Sequence, residues 1–178
     1  MTDIEKINQA FIQLSFCLKN MCYFELEPRK INKEDFDTEV QFLDERVILP
    51  QNEFITYDDL ILAAQNQVNI CIGFTAIVVW DTVESFNKSK LDTEEKNIID
   101  LFYMIRCAFV HQAINPVWKV NNKQYKRVFE IKIGDSSITV DLTDKDSRPF
   151  KPEDIGGYQN YYKLKDSIIE LLKKYSSA

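Results

Sequence analysis

Apolar side chains recur at steps of three and four residues in four separate stretches of this 178-residue chain. That spacing places them along one face of an α-helix, which has about 3.6 residues per turn. The pattern predicts helices over residues 2–24, 57–86, 93–112 and 158–175. The chain also has only four glycines, which favours helices over a turn-rich all-β fold. The sequence therefore predicts a mainly α protein.

Two of the predicted helices begin at a capping box, a pair of residues three apart that each bond the other's backbone. Thr56 with Asp59 would begin the second helix, and Asp92 with Glu95 would begin the third. The third helix should end shortly before Pro116, because the residue before a proline is pushed out of the α region. These signals indicate where the helices start and stop.

A different period follows the third helix. Apolar and polar residues alternate over 117–120, 128–133 and 138–142, as in strands that bury one face. Polar turn residues separate these segments. They predict two or three antiparallel strands, which form a small β-hairpin or three-strand element at about 117–143, between the third and last helices.

The length predicts a single domain over residues 1–178. Between the first two helices, residues 28–56 offer apolar side chains without a clean period. A short helix near 33–46, followed by an ordered loop, is our interpretation of that segment.

The formal net charge is −6, which argues against a broad basic surface for nucleic acid. Any such partner must meet a local basic patch. The N-terminus has no secretory signal pattern, and the longest apolar run, 70–80, is too short to span a bilayer. The four cysteines lie in apolar helical contexts without a CxxC pair, which predicts buried, reduced thiols. We expect a cytoplasmic protein that has no membrane partner, metal site or cofactor.

The third predicted helix holds the most unusual pair of residues. Arg106 and His111, the only histidine, stand in an otherwise apolar run, where each needs a polar partner once it is desolvated. On an ideal helix the two side chains would point about 140° apart and differ by about 7.5 Å in height. They can cooperate if the helix kinks or unwinds near its end. Alternatively, they can meet their counterparts across a two-fold axis.

Both residues suit the cleavage of RNA by 2′-hydroxyl attack. Histidine exchanges protons near neutral pH, and the planar guanidinium of arginine binds phosphate. The reaction needs a base, and it benefits from an acid and from a cation for the developing phosphorane charge. Because the chain has one histidine, a symmetric dimer would supply two histidines and two arginines to one cleft.

The segment Arg106-Cys107-Ala108-Phe109-Val110-His111, near the end of an apolar-faced helix, resembles the HEPN superfamily (higher eukaryotes and prokaryotes nucleotide-binding domains). That family carries an arginine and a histidine four to six residues apart on a four-helix bundle. The resemblance implies a HEPN-like four-helix bundle and a homodimeric, metal-independent endoribonuclease, with Arg106 and His111 catalytic. It also implies a toxin or antiphage-defence role, an RNA substrate and an antitoxin or regulatory partner. Members often carry asparagine after the arginine, where this chain has Cys107.

Other side chains near this pair are candidates for binding the substrate. They are Tyr103, one turn before Arg106, and Gln112, Asn115 and Lys119 beyond it. A basic cluster could steer RNA, and aromatic residues of the hairpin could stack on bases. The first set is Lys119, Lys123, Lys126, Arg127 and Lys132; the second is Trp118, Tyr125 and Phe129.

Two other functions remain open on the sequence alone. One is a catalytically inactive module that binds a partner protein or a nucleotide through the same cleft. The other is a purely structural oligomerisation domain. The two residues themselves can also be structural, with His111 bonding free carbonyls at the helix end and Arg106 pairing with an acid such as Asp100 or Glu94.

Overall fold

The computed structural model describes residues 1–26, 40–41, 47–49, 54, 56–86, 88–133 and 136–176. Within these ranges the helices are α1 (Asp3–Leu26), α2 (Tyr57–Val83), α3 (Thr93–Phe109) and α4 (Gly157–Ser176). Strand β1 (Val40–Gln41) pairs antiparallel with β2 (Val47–Leu49), and β3 (Val128–Ile133) pairs antiparallel with β4 (Ser136–Asp141). The predicted mainly α fold, a helical bundle with a small antiparallel β-hairpin between the third and last helices, is confirmed.

Both predicted capping boxes are present. The Thr56 amide donates to Asp59 Oδ2 at 2.6 Å, and the Asp59 amide donates to Thr56 Oγ1 at 3.3 Å. The Asp92 amide donates to Glu95 Oε2 at 3.0 Å, and the Glu95 amide donates to Asp92 Oδ1 at 2.8 Å. Each pair satisfies backbone donors that have no partner within their own helix.

Several elements differ from the sequence prediction, and the second predicted helix ends at Val83 rather than near residue 86. The predicted helix near 33–46 falls mostly outside the described residues, and Val40–Gln41 within it is a strand. Its partner strand Val47–Leu49 is made of residues with high β propensity. The third predicted helix ends at Phe109 rather than near residue 112. Of the three alternating segments, 117–120 forms only a bridge between Val117 and Pro149.

The described residues group into two compact units, which are Met1–Leu14 with Asn69–Ala178, and Ser15–Val68. In the larger unit, every helix contributes fully buried side chains to one core, including Leu14, Ala76, Phe102 and Leu164. The Thr75 hydroxyl lies 2.8 Å from the hydroxyl of Tyr161, so two buried polar groups satisfy each other. Burial raises the pKa of the Tyr161 phenol, which keeps it protonated.

The hairpin buries one face, as the alternation predicted. The β3–β4 register pairs Phe129 with Val140 and Ile131 with Ile138, and all four side chains are buried. At the root of the hairpin, Arg127 donates to Asn97 Oδ1 at 2.6 Å and to Asp100 Oδ2 at 3.2 Å. The hairpin is therefore fixed to α3 by packing and by a buried polar cluster.

The smaller unit has its own contacts between α1 and α2. Cys17, Leu60, Ala64 and Val68 are buried, and the Tyr57 hydroxyl donates to the Phe24 carbonyl at 2.7 Å. Cys22 is exposed, contrary to the prediction that all four thiols are buried, and Cys107 is half-buried. A cysteine at a solvent-facing position of a helix cannot be told from a core cysteine by its neighbours alone.

By length and composition, α2 is long and apolar enough to cross a bilayer, although a helix from a protein core passes the same test. Among the helices of the described ranges, only α2 passes this test of length and composition. Several of its apolar side chains, including Val68, Ile72, Ala76 and Val79, are buried inside the fold. The cytoplasmic location and the single-domain assignment stay predictions.

Candidate functional site

The end of α3 determines where His111 lies. The Val110 amide still bonds the Arg106 carbonyl at 3.0 Å, but the Ala108 carbonyl accepts from the amide of Val117 at 3.2 Å. The chain therefore turns back on the helix end, with His111 in the turn. A further bond, from Asn69 Nδ2 to the Ile114 carbonyl at 3.1 Å, fixes this segment to α2. Of the two arrangements considered from the sequence, the structure shows the unwound helix end.

Beyond the turn, Arg106 and His111 line one open cleft of about 610 Å³. Tyr103 and Cys107 of α3 line it as well, and so does Lys119. The helix ends at Phe109 and Val110 is its C-cap, so His111 lies beyond the helix and not on a straight continuation of it. The two predicted catalytic residues thus share a cleft within one protomer.

Among the residues that the structure describes, none that lines the cleft is acidic. The nearest candidate on the helix, Asp100, is bonded by Lys88 Nζ at 2.9 Å and by Arg127 Nη2 at 3.2 Å. Arg106 forms no salt bridge within the described part of the chain, and its buried Nε has no hydrogen-bond partner there. An arginine without a carboxylate partner retains its fork of donors for an external anion.

His111 is exposed, and its ring forms no hydrogen bond with any described residue. At the helix end, the Ala108 carbonyl accepts from the Val117 amide and the Arg106 carbonyl from the Val110 amide, so His111 caps neither of them. Lys119 is also exposed and forms no salt bridge in the same described ranges. The histidine and both cations are therefore accessible to a ligand in the cleft.

Two tyrosines form part of the cleft wall. The ring centroids of Tyr103 and Tyr125 lie 5.3 Å apart. Tyr103 also packs against Trp80, with 4.7 Å between the ring centroids. The Cys107 thiol and burial raise the pKa of Tyr103, against a smaller lowering by Arg106. Burial, followed by the charge of Asp100, raises the pKa of Tyr125. Both phenols are therefore protonated at neutral pH and can donate hydrogen bonds.

Several residues predicted from the sequence lie elsewhere. Gln112 and Asn115 are exposed and are not among the residues that line the cleft. Trp118 and Phe129, predicted as stacking surfaces, are fully buried in the core. Arg127, predicted as part of an RNA-steering cluster, is instead engaged with Asp100 and lies 4.2 Å from the Phe129 ring centroid.

Asn121 and Asn122, which belong to the polar turn residues between two of the alternating segments, also line the cleft. Turn chemistry explains an asparagine at such a position equally well, so the residue type gave no functional signal. Their place beside Arg106 depends on how the hairpin packs against α3. That packing is set by contacts between residues distant in the chain.

No group of three or more histidine, cysteine, aspartate or glutamate side chains in the described ranges is arranged to hold a metal ion. Comparison with protein-family models, with curated proteins and with solved structures gives no match for this chain. What the cleft can do must therefore be argued from its own residues.

Proposed function

We propose that this chain is a metal-independent endoribonuclease of the HEPN type, with Arg106 and His111 as its catalytic residues. The composition of the cleft supports the proposal most strongly. In a chain of net charge −6, an arginine, a lysine and a histidine line one opening to which no described residue contributes a carboxylate. Such an opening attracts a phosphodiester and gives it donors and a proton carrier.

The proposed reaction is a transesterification. The ribose 2′ oxygen attacks the adjacent phosphorus, and the bond from phosphorus to the 5′ oxygen breaks. A neutral His111 accepts the 2′-hydroxyl proton, and a protonated imidazole donates a proton to the leaving 5′ oxygen. Arg106 stabilises the charge that develops on the non-bridging oxygens. The products are a 2′,3′-cyclic phosphate and a 5′-hydroxyl end.

A homodimer belongs to the proposal, because one protomer has one histidine and the reaction uses both a base and an acid. Apolar side chains are exposed beside His111. Val110 is 44% exposed and Ile114 is 50% exposed. Burying them against a second copy would be favourable. The toxin or antiphage-defence role, with an antitoxin or regulatory partner, rests on the family resemblance.

The direct test is cleavage of single-stranded RNA in the presence of EDTA. We expect Arg106→Ala and His111→Ala each to lower the cleavage rate by about a hundredfold or more, while the thermal unfolding midpoint stays near that of the wild type. Arg148→Ala is a matched control, because Arg148 is exposed and does not line the cleft. It should cleave at the wild-type rate.

Two results would overturn the nuclease proposal. Wild-type protein that leaves a mixed RNA pool intact is not an endoribonuclease for those substrates. If it then still binds RNA or a nucleotide, the inactive binding module replaces the enzyme. Alternatively, cleavage that persists in both alanine variants would show that other residues carry the reaction.

A further inference from the structure

The turn at residues 121–125 supplies side chains to the cleft that the proposed phosphate chemistry does not use. Asn121, Asn122 and Tyr125 line the cleft beside Arg106 and His111. The turn holds itself in shape. The Gln124 amide donates to Asn122 Oδ1 at 3.0 Å, and the Tyr125 amide donates to the Asn122 carbonyl at 3.0 Å. A shaped turn with unused polar groups is suited to recognise a ligand.

We propose that this turn reads one unpaired nucleobase next to the scissile phosphate, with Asn121 bonding the base edge and Tyr125 packing against the base face. The inference deepens the proposed function and rests on it. The expected substrate is single-stranded RNA, and the expected preferred base beside the cleaved bond is adenine.

Asn121 carries the edge recognition. Its side chain is exposed in the cleft and forms no hydrogen bond with any described residue, whereas the oxygen of Asn122 is already engaged in the turn. A free amide offers a donor and an acceptor side by side. Adenine presents the complementary pair, its N6 amino group and a ring nitrogen, and asparagine pairs with adenine in this bidentate way. Arg106 and Lys119 offer only donors, so they cannot make this pair.

Tyr125 supplies the aromatic surface on which the base stacks. Its ring is half-buried, and it packs on Tyr103, which in turn packs on Trp80. Arg127 Nε donates to the Gln124 carbonyl at 3.2 Å, so the buried polar cluster on α3 also anchors the turn. A ring held from behind presents a fixed surface for stacking. Unpaired bases stack on aromatic side chains, while the base faces of a duplex are already covered.

The test compares cleavage maps on a single-stranded RNA that contains each base in each neighbouring position. Wild type should cut next to adenine most often. Asn121→Ala should reduce that preference by about tenfold, the value of one good bidentate pair. Gln124→Ala is the matched control, since it removes an amide from the same turn but not from the cleft. It should keep the wild-type map.

Tyr125 needs two variants, because loss of the ring could disturb the turn. Tyr125→Phe keeps the face and should retain both binding and preference. Tyr125→Leu should weaken binding of a fluorescein-labelled adenosine hexanucleotide by about tenfold, measured by anisotropy in the His111→Ala background so that cleavage does not interfere. Circular dichroism of each variant checks that the fold is intact.

The outcomes separate the two proposals. If RNA is cut through Arg106 and His111 but Asn121→Ala leaves the map unchanged, the base-reading inference is wrong and the nuclease stands. A map that favours another base, and that still depends on Asn121, overturns the adenine assignment. If the wild type neither cuts RNA nor binds the hexanucleotide, both proposals fail.

Discussion

At the scale of single residues, two arginines show how partners decide a role. Arg127 is committed to Asn97 and to the buried Asp100, so it serves the structure. Arg106 has no carboxylate partner in the described ranges and lines the cleft. From the sequence alone, Asp100 was a possible partner for Arg106. In the structure, the Asp100 carboxylate forms salt bridges with Arg127 and Lys88 instead. Arg106 can therefore bind a ligand.

Asp154 gives a residue-scale prediction with a defined pH dependence. Burial raises the pKa of this carboxyl. Three hydrogen bonds lower it, and they come from Lys145, from the Trp118 indole at 2.8 Å and from the Lys151 amide at 3.0 Å. Together the bonds outweigh burial, so the folded pKa lies below the usual 3.8. A depressed carboxyl pKa stabilises the fold above the unfolded pKa, and this contribution is lost as pH falls through the folded pKa.

We therefore expect Asp154→Asn to lower the free energy of unfolding by about 2 kcal/mol at neutral pH. The difference from wild type should shrink at about pH 3, measured by urea unfolding at both pH values. Asp144→Asn is the control, because Asp144 is exposed on the same segment and should change stability by under about 0.5 kcal/mol. An equal loss at both pH values would contradict the ionic explanation.

At the scale of elements, local signals predicted more than long-range ones. The capping boxes at Thr56 and Asp92 depend on residues three apart, so the sequence was sufficient. The end of α3 was placed too late, because the bond from Val117 to Ala108 joins residues nine apart and follows no local pattern. The predicted pair Arg106 and His111 lies in one cleft, but the tertiary fold was needed to place Asn121 there.

Gly73 tests how tightly α2 holds the end of α3. A Cβ at this position would lie 2.8 Å from the Cβ of Phe109, which is closer than carbon atoms pack. Alanine gains about 1 kcal/mol of helix propensity over glycine, but overpacking costs about 1–3 kcal/mol. We expect Gly73→Ala to lower the free energy of unfolding by about 1 kcal/mol, measured by urea unfolding.

Ala63→Gly is the comparison variant, since Ala63 is exposed on the same helix. Its effect on the free energy of unfolding measures the difference in helix propensity between alanine and glycine alone. If Gly73→Ala instead stabilised the protein by the amount that Ala63→Gly costs, the close contact with Phe109 would have no energetic effect. Under the packing explanation both substitutions destabilise, although they change the residue in opposite directions.

At the scale of the whole molecule, charge is distributed unevenly. The chain has 28 acidic and 22 basic side chains, yet the described residues that line the cleft include cations and no carboxylate. The net charge repels RNA at long range, while the cleft attracts a phosphate once it is close. The proposed recognition therefore depends on the strand entering the cleft, not on general attraction to the surface.

The proposed dimer predicts how activity depends on the proportion of wild-type and His111→Ala protomers in a mixture. Wild-type and His111→Ala protomers are mixed, unfolded and refolded together so that they pair at random. If the reaction needs two histidines, an equal mixture should retain about a quarter of the wild-type activity, because only fully wild-type dimers act. Independent protomers would retain about a half. Sedimentation velocity of the wild type checks that a dimer is present, and a monomer that cuts RNA would contradict the proposal.

The link from Arg127 to Asp100 also bears on how the protein would respond to heat. In the larger unit the helices contribute to one packed core, whereas the turn that carries Asn121 and Tyr125 is tied to α3 at its root by Arg127. Regions with few buried apolar contacts open before the core does. We therefore expect warming to weaken the preference for adenine reversibly while the helices persist, so that loss of base preference and loss of helical signal occur at separate temperatures.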